Sequence, residues 1–347
     1  MIWLGQVSQG RDNNFNLVRM GAASAVLVSH AWPLTRGPGT LEPLEALTGH
    51  SLGTWAVYVF FALSGFFIAA SFAGSKTVAG FVQARVLRLF PGLAVSLLLV
   101  AFVMGPLVTR LALADYLTDR ATWTFLARNL TLVSAQYTLP GVFDTNPFPA
   151  VEGSIWTLIQ EVLCYGLVFA AGVTGLLKRP RGMWLALAAY GVLWLVPVLT
   201  PLALHPKLVQ FHELSLPFVI GMAFWLGRDH IPLALIGVAL LAGLSYLTAA
   251  TPLGQPALML LLTYGCFWLG HVPKGAVRRY NALGDYSYGM YVYAFPLQGL
   301  VVWLFGPLTP VLHSLLAFPP VLLLAVLSWH YVEAPALRLR QGRRRVA

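Results

Sequence analysis

Apolar segments recur from one end of the chain to the other, and they limit its fold more than any other feature. Ten of these segments lie at 15–34, 52–73, 89–108, 153–177, 183–200, 213–228, 231–249, 255–271, 283–305 and 312–332. A helix needs about 20 apolar residues to cross the hydrocarbon core of a bilayer. We therefore predict an all-α polytopic membrane protein with about ten transmembrane helices, forming a single domain over residues 1–347.

The composition and the distribution of charge support this prediction. Charged residues make up only 10% of the chain, against about 25% in soluble domains. If the N-terminus is inside, the basic residues on the outer side are Arg36, Arg110, Arg120, Arg128 and Lys207. Because Lys and Arg collect on the cytoplasmic side, we predict cytoplasmic termini and a location in the inner (plasma) membrane. The net charge of +10, including a short basic tail at 334–347, then indicates contact with membrane lipids and no nucleic acid.

The first apolar segment carries two ionisable residues, Arg19 near its start and His30 near its end. Eleven residues of α-helix come within about 20° of three full turns, so both side chains share one face. They are separated by about 16 Å along the axis. Ionisable residues inside a membrane are costly and are usually functional. We expect Arg19 to hold a charged group near the inner side and His30 to do chemistry near the outer side.

Two pairs of residues, one in the second segment and one just before the third, are candidate ligand-binding groups. Ser64 and Gly65 lie in the middle of the second segment and let a ligand or another backbone approach closely. A crossing of two helices at small residues is the alternative. Arg85 and Arg88 project from one helix face and can bind a phosphate together. Their alternative role is contact with lipid headgroups under the positive-inside rule.

Glu161 lies in the fourth segment, at a predicted depth that overlaps that of His30. A buried carboxylate must be paired, hydrogen-bonded or protonated. It could orient His30 and stabilise its charged form, or accept a proton itself. The alternative is a structural hydrogen bond to Trp156 or to a tyrosine. Trp156 and Tyr288 are possible residues lining the site, although tyrosines near Tyr288 also fit an interfacial aromatic belt.

The connection at 109–152 is the longest on the predicted outer side. Its part at 114–133 has the pattern of an amphipathic surface helix, and the remainder reads as a turn-rich loop. The loop could receive a substrate or serve as a plain connector. Cys164 and Cys266 are interpreted as small core residues, and no metal is predicted because no His or Cys pair has metal-ligand spacing.

Six stretches, taken in this order, resemble the acyltransferase-3 family of integral membrane acyltransferases. They are NLVRMGAASAVLVSH, FFALSGFFIA, RVLRLFPGL, GSIWTLIQEVLCY, LGDYSYGMYVYAFP and SWHYVEAPALR. The family moves acyl groups, usually acetyl, from cytosolic acyl-CoA to hydroxyls of surface or secreted carbohydrates. The resemblance implies that His30 is catalytic and that Arg19 is its partner. It also implies a donor channel near Ser64 and Gly65, CoA-phosphate contacts at Arg85 and Arg88, and a functional carboxylate at Glu161.

Two positions depart from the family pattern. Many relatives carry an acidic residue where Tyr58 stands, and many carry a histidine where Ala294 stands. The missing histidine makes a mechanism with two histidines doubtful, so more weight falls on His30.

The residues and the resemblance lead to one hypothesis about the reaction. The pantetheine arm of CoA, on the order of 15–20 Å long, can reach from Arg85, Arg88 and Arg19 toward the outer half. Neutral His30 takes the proton of an acceptor hydroxyl that attacks the thioester, and Glu161 stabilises the imidazolium. A covalent acyl-histidine relay is the variant left open. Acetyl-CoA is a co-substrate, no permanently bound cofactor is expected, and the acceptor is a carbohydrate or glycolipid, as in O-acetylation of a surface or exported polysaccharide.

Two other functions are alternatives to this hypothesis. A multi-span transporter of an anionic or lipid-linked solute would also use buried ionisable groups, but no pair of Gly/Pro-interrupted segments suggests inverted repeats. A structural or assembly protein of an export complex would leave Arg19, His30 and Glu161 without a role. A homo-oligomer is possible under each of these functions.

Overall fold

Ten long helices make up most of the part of the chain that the structure describes. The computed structural model describes residues 2–10 and 12–342, so the last part of the predicted basic tail, 343–347, lies outside the described residues. In chain order the helices are α1 (Phe15–Arg36), α2 (Leu52–Ala73), α3 (Val78–Leu99, continued by the π-helical turn Val100–Met104 and by Gly105–Val108), α4 (Ile155–Val173), α5 (Pro180–Leu199), α6 (Pro206–Leu226), α7 (Leu235–Thr248), α8 (Gly254–His271), α9 (Ser287–Phe305) and α10 (Pro310–Ser328, continued by the π-helical turn Trp329–Glu333 and by Ala334–Gly342).

Shorter elements connect these helices. They are the helices Leu4–Val7, Pro43–Thr48, Leu113–Thr118 and Arg120–Thr131 and the 3₁₀ turns Leu176–Lys178, Arg228–His230 and Gly275–Ala282. Two strands of two residues each, Ile2–Trp3 and Pro232–Leu233, pair in an antiparallel register with Ile2 opposite Leu233.

Within the described residues, seven helices are long and apolar enough to cross a membrane: α2, α3, α4, α5, α6, α9 and α10. An eighth span results if α8 and the following turn, bent by 89° to it, are taken as one broken span. The prediction of an all-α, multi-pass protein is confirmed. The count of about ten spans and the cytoplasmic termini stay predictions.

The start of α3 differs from the sequence-based boundary. The third span was predicted to begin at 89, whereas the helix begins at Val78. Arg85 and Arg88 lie within this helix, in agreement with their predicted placement on one helix face. The two arginines lower the apolarity of this part, and hydropathy alone places the boundary too late.

The described chain divides into two compact units. Unit one comprises Met1–Arg19, Val57–Phe81 and Gln160–Leu283, and unit two comprises Met20–Ala56, Val82–Ile159 and Gly284–Ala347. The division falls inside α1, so that Arg19 belongs to unit one and His30 to unit two.

The core of unit one is a cluster of aromatic rings. Phe15 of α1 meets the edges of Phe67 and Phe267 at ring-centroid distances of 5.0 and 5.7 Å. Phe66 packs against Phe267 at 4.6 Å. At the start of α1, the Asn14 side chain donates hydrogen bonds to the backbone oxygens of Leu269 and Pro273. These contacts fix the Arg19 end of α1 against α2 and α8.

Unit two is organised around α9, whose residues are almost all buried. Gly289 of α9 lies so close to Ala325 of α10 that a Cβ would overlap its backbone. On another side, Ser96 Oγ of α3 donates to the backbone oxygen of Val292 at 3.2 Å. The Tyr291 hydroxyl donates to the Ser154 oxygen at 2.9 Å and so holds the start of α4.

The connection 109–152 is partly helical and closely packed. Arg120–Thr131 is an amphipathic helix whose buried face includes Phe125 and Leu126, and the Asp119 carboxylate caps its first turn. The helical part predicted at 114–133 is thus confirmed, with a break at Asp119. The rest is loop as predicted, but Val142 and Phe143 are buried, so this loop is part of the core of unit two.

Candidate active site

His30 lies on α1 in unit two, with its ring against Phe295 of α9. The two rings meet edge to face with centroids 5.2 Å apart. The His30 Nδ1 atom is buried and has no hydrogen-bond partner among the described residues. Phe295 is held in turn by Leu34, Ala150 and Phe148. A rigid apolar wall therefore positions the imidazole while one ring nitrogen keeps its hydrogen-bonding capacity.

Glu152, which the sequence reasoning did not select, lies in the loop that leads to α4. It is 1% exposed, and its carboxyl accepts hydrogen bonds from the Ser154 backbone N–H at 2.9 Å and from the Ser154 hydroxyl. Burial raises the pKa of Glu152 to about 7. The adjacent Gly153 lies so close to Phe295 that a Cβ would overlap the ring. The only signal for Glu152 in the sequence was that an acidic residue directly precedes the GSIWTL stretch.

Arg88 lies in a polar cluster of unit two. Its guanidinium forms ion pairs with Asp285 at 2.7 Å and Glu333 at 3.5 Å. It also lies over the Tyr288 ring, 5.7 Å from the ring centroid. The Tyr288 hydroxyl donates to the backbone oxygen of Leu89 at 2.7 Å. The structure thus brings together two predicted site residues, Arg88 and Tyr288, and adds two carboxyl groups that the sequence reasoning missed.

Both missed carboxyl groups lie in stretches that carry the family resemblance. Asp285 is in LGDYSYGMYVYAFP and Glu333 is in SWHYVEAPALR. A signal was present, because an arginine near a membrane span needs a partner of opposite charge. Arg85, one helical turn before Arg88, is half-buried.

Glu161 and Ser64 meet in unit one. The Glu161 carboxyl accepts hydrogen bonds from the Ser64 hydroxyl at 2.7 Å and from the Tyr165 hydroxyl at 2.6 Å. The hydrogen bond to a tyrosine, named as the structural alternative, is therefore present. The bond to Ser64 was not expected, and it links α2 to α4 through two predicted site residues.

Gly65 lies at a close crossing of α2 and α6 in unit one. A Cβ on Gly65 would overlap the backbone oxygen of Phe218, and a Cβ on Gly221 would overlap that of Ala62. The two glycines face each other's helix, which is the geometry of a small-residue crossing. The crossing accounts for a glycine at position 65 without a ligand, and the donor role of Gly65 stays a prediction.

Two further predicted positions also lie in unit one. The Arg19 guanidinium lies 5.1 Å from the centroid of the Phe67 ring of α2. Tyr58, which stands where many relatives carry an acid, donates a hydrogen bond from its hydroxyl to Glu213 of α6. An acidic group is thus present beside position 58, although a different helix supplies it.

The remaining predictions concern Trp156 and metal binding. Trp156 is half-buried in the first turn of α4, in unit two. Among the described residues, no group of three or more His, Cys, Asp and Glu side chains could hold a metal ion.

Comparisons with known proteins identify the family. The model of a family described as "Acyltransferase domain", the acyltransferase-3 family, matches residues 12–330. An O-acetyl transferase of Shigella phage Sf6 is 28% identical over 349 residues, covering 93% of this chain and 95% of that protein. Nodulation protein 10 of Rhizobium leguminosarum bv. viciae is 26% identical over 381 residues, covering 96% and 95%. No solved structure matches. The chain therefore belongs to the acyltransferase-3 family of integral membrane O-acyltransferases.

Proposed function

We propose that this protein transfers an acetyl group from cytosolic acetyl-CoA to a hydroxyl of a carbohydrate or glycolipid, for O-acetylation of a surface or exported polysaccharide. Membership of the family and similarity to an O-acetyl transferase support the reaction class. The distribution of basic residues supports an inner-membrane protein with about ten spans and cytoplasmic termini, which gives it access to acetyl-CoA.

The observation that carries the proposal is the environment of His30. His30 is half-buried, but its Nδ1 atom is buried without a hydrogen-bond partner among the described residues, which is costly unless the atom has a role. In its neutral form one ring nitrogen can accept a proton. His30 is thus suited to be the general base.

In the proposed reaction, the proton that leaves the acceptor hydroxyl is delivered to the leaving sulfur of CoA. His30 takes the proton of the acceptor hydroxyl as its oxygen attacks the thioester carbonyl. The new C–O bond forms, the C–S bond breaks, and the sulfur of CoA leaves as a thiolate. The imidazolium of His30 returns the proton to that sulfur, so that free CoA thiol and an O-acetyl ester are the products.

We propose that Arg85 and Arg88 contact the phosphates of the donor. The single guanidinium of Arg88 is already shared by Asp285 and Glu333, and these carboxyl groups compete with a phosphate for it. Arg85, one helical turn before Arg88 on the same helix face, is proposed to share the donor phosphates with it. Replacing Arg85 by Lys would lose bidentate contact and raise the KM for acetyl-CoA.

The roles of the predicted residues in unit one remain part of the proposal. Arg19 assists donor binding, Ser64 and Gly65 lie near the donor channel, and Glu161 is a functional carboxylate, as the family pattern implies. Glu161→Gln keeps a hydrogen-bond acceptor for Ser64 and Tyr165 but removes the charge. If the charge is needed, this variant loses activity without losing stability.

The test is thiol release from acetyl-CoA by the purified protein, measured with and without a mixture of methyl glycosides. His30→Ala should lower glycoside-dependent release by about 10²–10⁴-fold, the usual contribution of a general base. His230→Ala is the matched control, because His230 is exposed at the end of the 3₁₀ turn Arg228–His230. Normal release by His30→Ala would refute the role of His30. A protein that consumes no acetyl-CoA but moves a solute would favour the transporter instead.

A further inference from the structure

Three buried polar atoms without a partner lie on neighbouring turns of α1, α9 and α10. They are His30 Nδ1, Gln298 Oε1 and His313 Nδ1, and no described residue forms a hydrogen bond with any of them. Gln298 and His313 are completely buried. All three residues belong to unit two. Buried polar atoms are almost always hydrogen-bonded, so three exceptions in one region need an explanation.

Two contacts place His30 and Gln298, which carry two of these atoms, about one helical turn apart. The Gln298 side-chain N–H donates to the backbone oxygen of Leu27 at 2.8 Å, and the His30 ring packs on Phe295. Leu27 and His30 are three residues apart on α1, and so are Phe295 and Gln298 on α9. The two helices therefore run antiparallel here, and Gln298 lies about one turn, roughly 5 Å along the axis, from His30.

The third residue approaches Gln298 from α10. His313 Nε2 lies 2.9 Å from the backbone oxygen of Gln298. A carbonyl oxygen can only accept, so Nε2 carries the hydrogen. In the neutral ring His313 Nδ1 is then an acceptor, like Gln298 Oε1. This region consequently offers two buried acceptors, and no described residue donates a hydrogen bond to either of them.

We propose that Gln298 Oε1 and His313 Nδ1 accept hydrogen bonds from hydroxyl groups of the acetyl acceptor, and so form an acceptor subsite beside His30. This inference rests on the proposed function, and it adds where the acceptor is held. Hydroxyl groups fit because each can donate a hydrogen bond, whereas an ionised carboxylate or phosphate diester offers only acceptors. A molecule with several adjacent hydroxyls, such as a sugar, can fill both acceptors and present one more hydroxyl to His30.

The subsite also explains why amide and imidazole groups occur deep inside the unit. Gln298 has a donor that is anchored to α1 and an acceptor that is left available. In His313, likewise, Nε2 donates to a backbone oxygen and Nδ1 is left available as an acceptor. In each residue one polar atom donates a hydrogen bond to a backbone oxygen. This bond fixes the orientation of the other polar atom.

The test separates acceptor binding from donor binding. The probe is the methyl glycoside, among glucoside, galactoside and rhamnoside, that the wild-type protein acetylates fastest. Gln298→Met removes both polar atoms at similar size, whereas Gln298→Glu keeps an oxygen acceptor at the same place. His313→Gln keeps a donor near the Nε2 position and removes the Nδ1 acceptor. Ser96→Ala is the control, because it removes a buried hydrogen bond to α9 without touching an unpartnered acceptor.

Gln298→Met and His313→Gln should each raise the KM for the glycoside by roughly 3- to 10-fold, the value of one hydrogen bond. The KM for acetyl-CoA should stay within about twofold, and Gln298→Glu should recover part of the loss.

Unchanged glycoside KM values in both variants would overturn the subsite. An equal rise in both KM values would overturn it too, since it would indicate a general structural role. If the wild-type protein neither releases thiol nor acetylates any glycoside, the proposed function itself fails. If Gln298→Met does not accumulate in the membrane, the two KM values of His313→Gln alone decide whether the subsite stands.

Discussion

The buried carboxyl of Glu152 should make the stability of this protein depend on pH in a predictable direction. Its pKa is raised by burial from 4.5 to about 7, and its hydrogen bonds come from the uncharged Ser154 and Gly153. The folded protein therefore holds a proton that the unfolded chain releases between pH 4.5 and 7. Stability contributed by this group is present below pH 4.5 and is lost as pH rises to about 7.

The magnitude follows from the size of the pKa change. One pKa unit is worth about 1.4 kcal/mol, so a rise from 4.5 to about 7 corresponds to about 3 kcal/mol. Glu152→Gln keeps an acceptor for Ser154 and cannot ionise. It should exceed the wild-type protein by less than about 1 kcal/mol at pH 5 and by up to about 3 kcal/mol at pH 8.

Thermal unfolding in detergent, followed by tryptophan fluorescence from pH 5 to 8, measures this difference. The difference between the midpoints of Glu152→Gln and wild type should grow with pH. Asp144→Asn, which changes an exposed carboxyl of the same loop, is the control for the loss of a charge from this loop. A midpoint difference for Glu152→Gln that is constant over this range would refute the reasoning, since the carboxyl would then titrate equally in both states.

Three other substitutions test contacts inside the two units by the same thermal assay. Gly65→Ala should cost about 1–3 kcal/mol, because its Cβ overlaps backbone, whereas Gly166→Ala meets nothing within 4 Å and should cost little. Equal midpoints for the two variants would contradict the close crossing. Arg88→Met should cost about 3 kcal/mol, because two carboxyl groups lose their cation. An unchanged midpoint would mean that these ion pairs do not form. Ser64→Ala should cost about 1 kcal/mol, because Glu161 keeps a tyrosine hydroxyl, and a much larger loss would contradict that sharing.

Hydropathy was sufficient to place the helices, because backbone polar groups in a membrane must be satisfied inside each segment. Each of the ten apolar segments overlaps one long helix among the described residues. The helix α3 begins before the predicted span, because Arg85 and Arg88 lower the local apolarity. The partners of Arg88 are distant in sequence, at Asp285 and Glu333, and no local pattern reveals such pairing.

The candidate site could be predicted only in part, for a similar reason. The cost of a buried carboxylate correctly indicated that Glu161 needs partners, but the identity of Ser64 as one of them depends on how two helices meet. Glu152 was missed because it precedes α4 in a loop, and loops are usually exposed. Gln298 and His313 were missed because neutral polar residues in an apolar helix give no signal until their neighbours are known.

The measurement that tests the central claim most directly is mass spectrometry of surface glycans. A strain lacking this gene would be complemented with the wild-type protein, His30→Ala or His230→Ala, with equal amounts of each in the membrane. Acetylated glycans are expected with the wild-type protein and with His230→Ala, and none are expected with His30→Ala. Acetylation by His30→Ala at the wild-type level would contradict this expectation, because the proton transfer assigned to His30 would then be unnecessary.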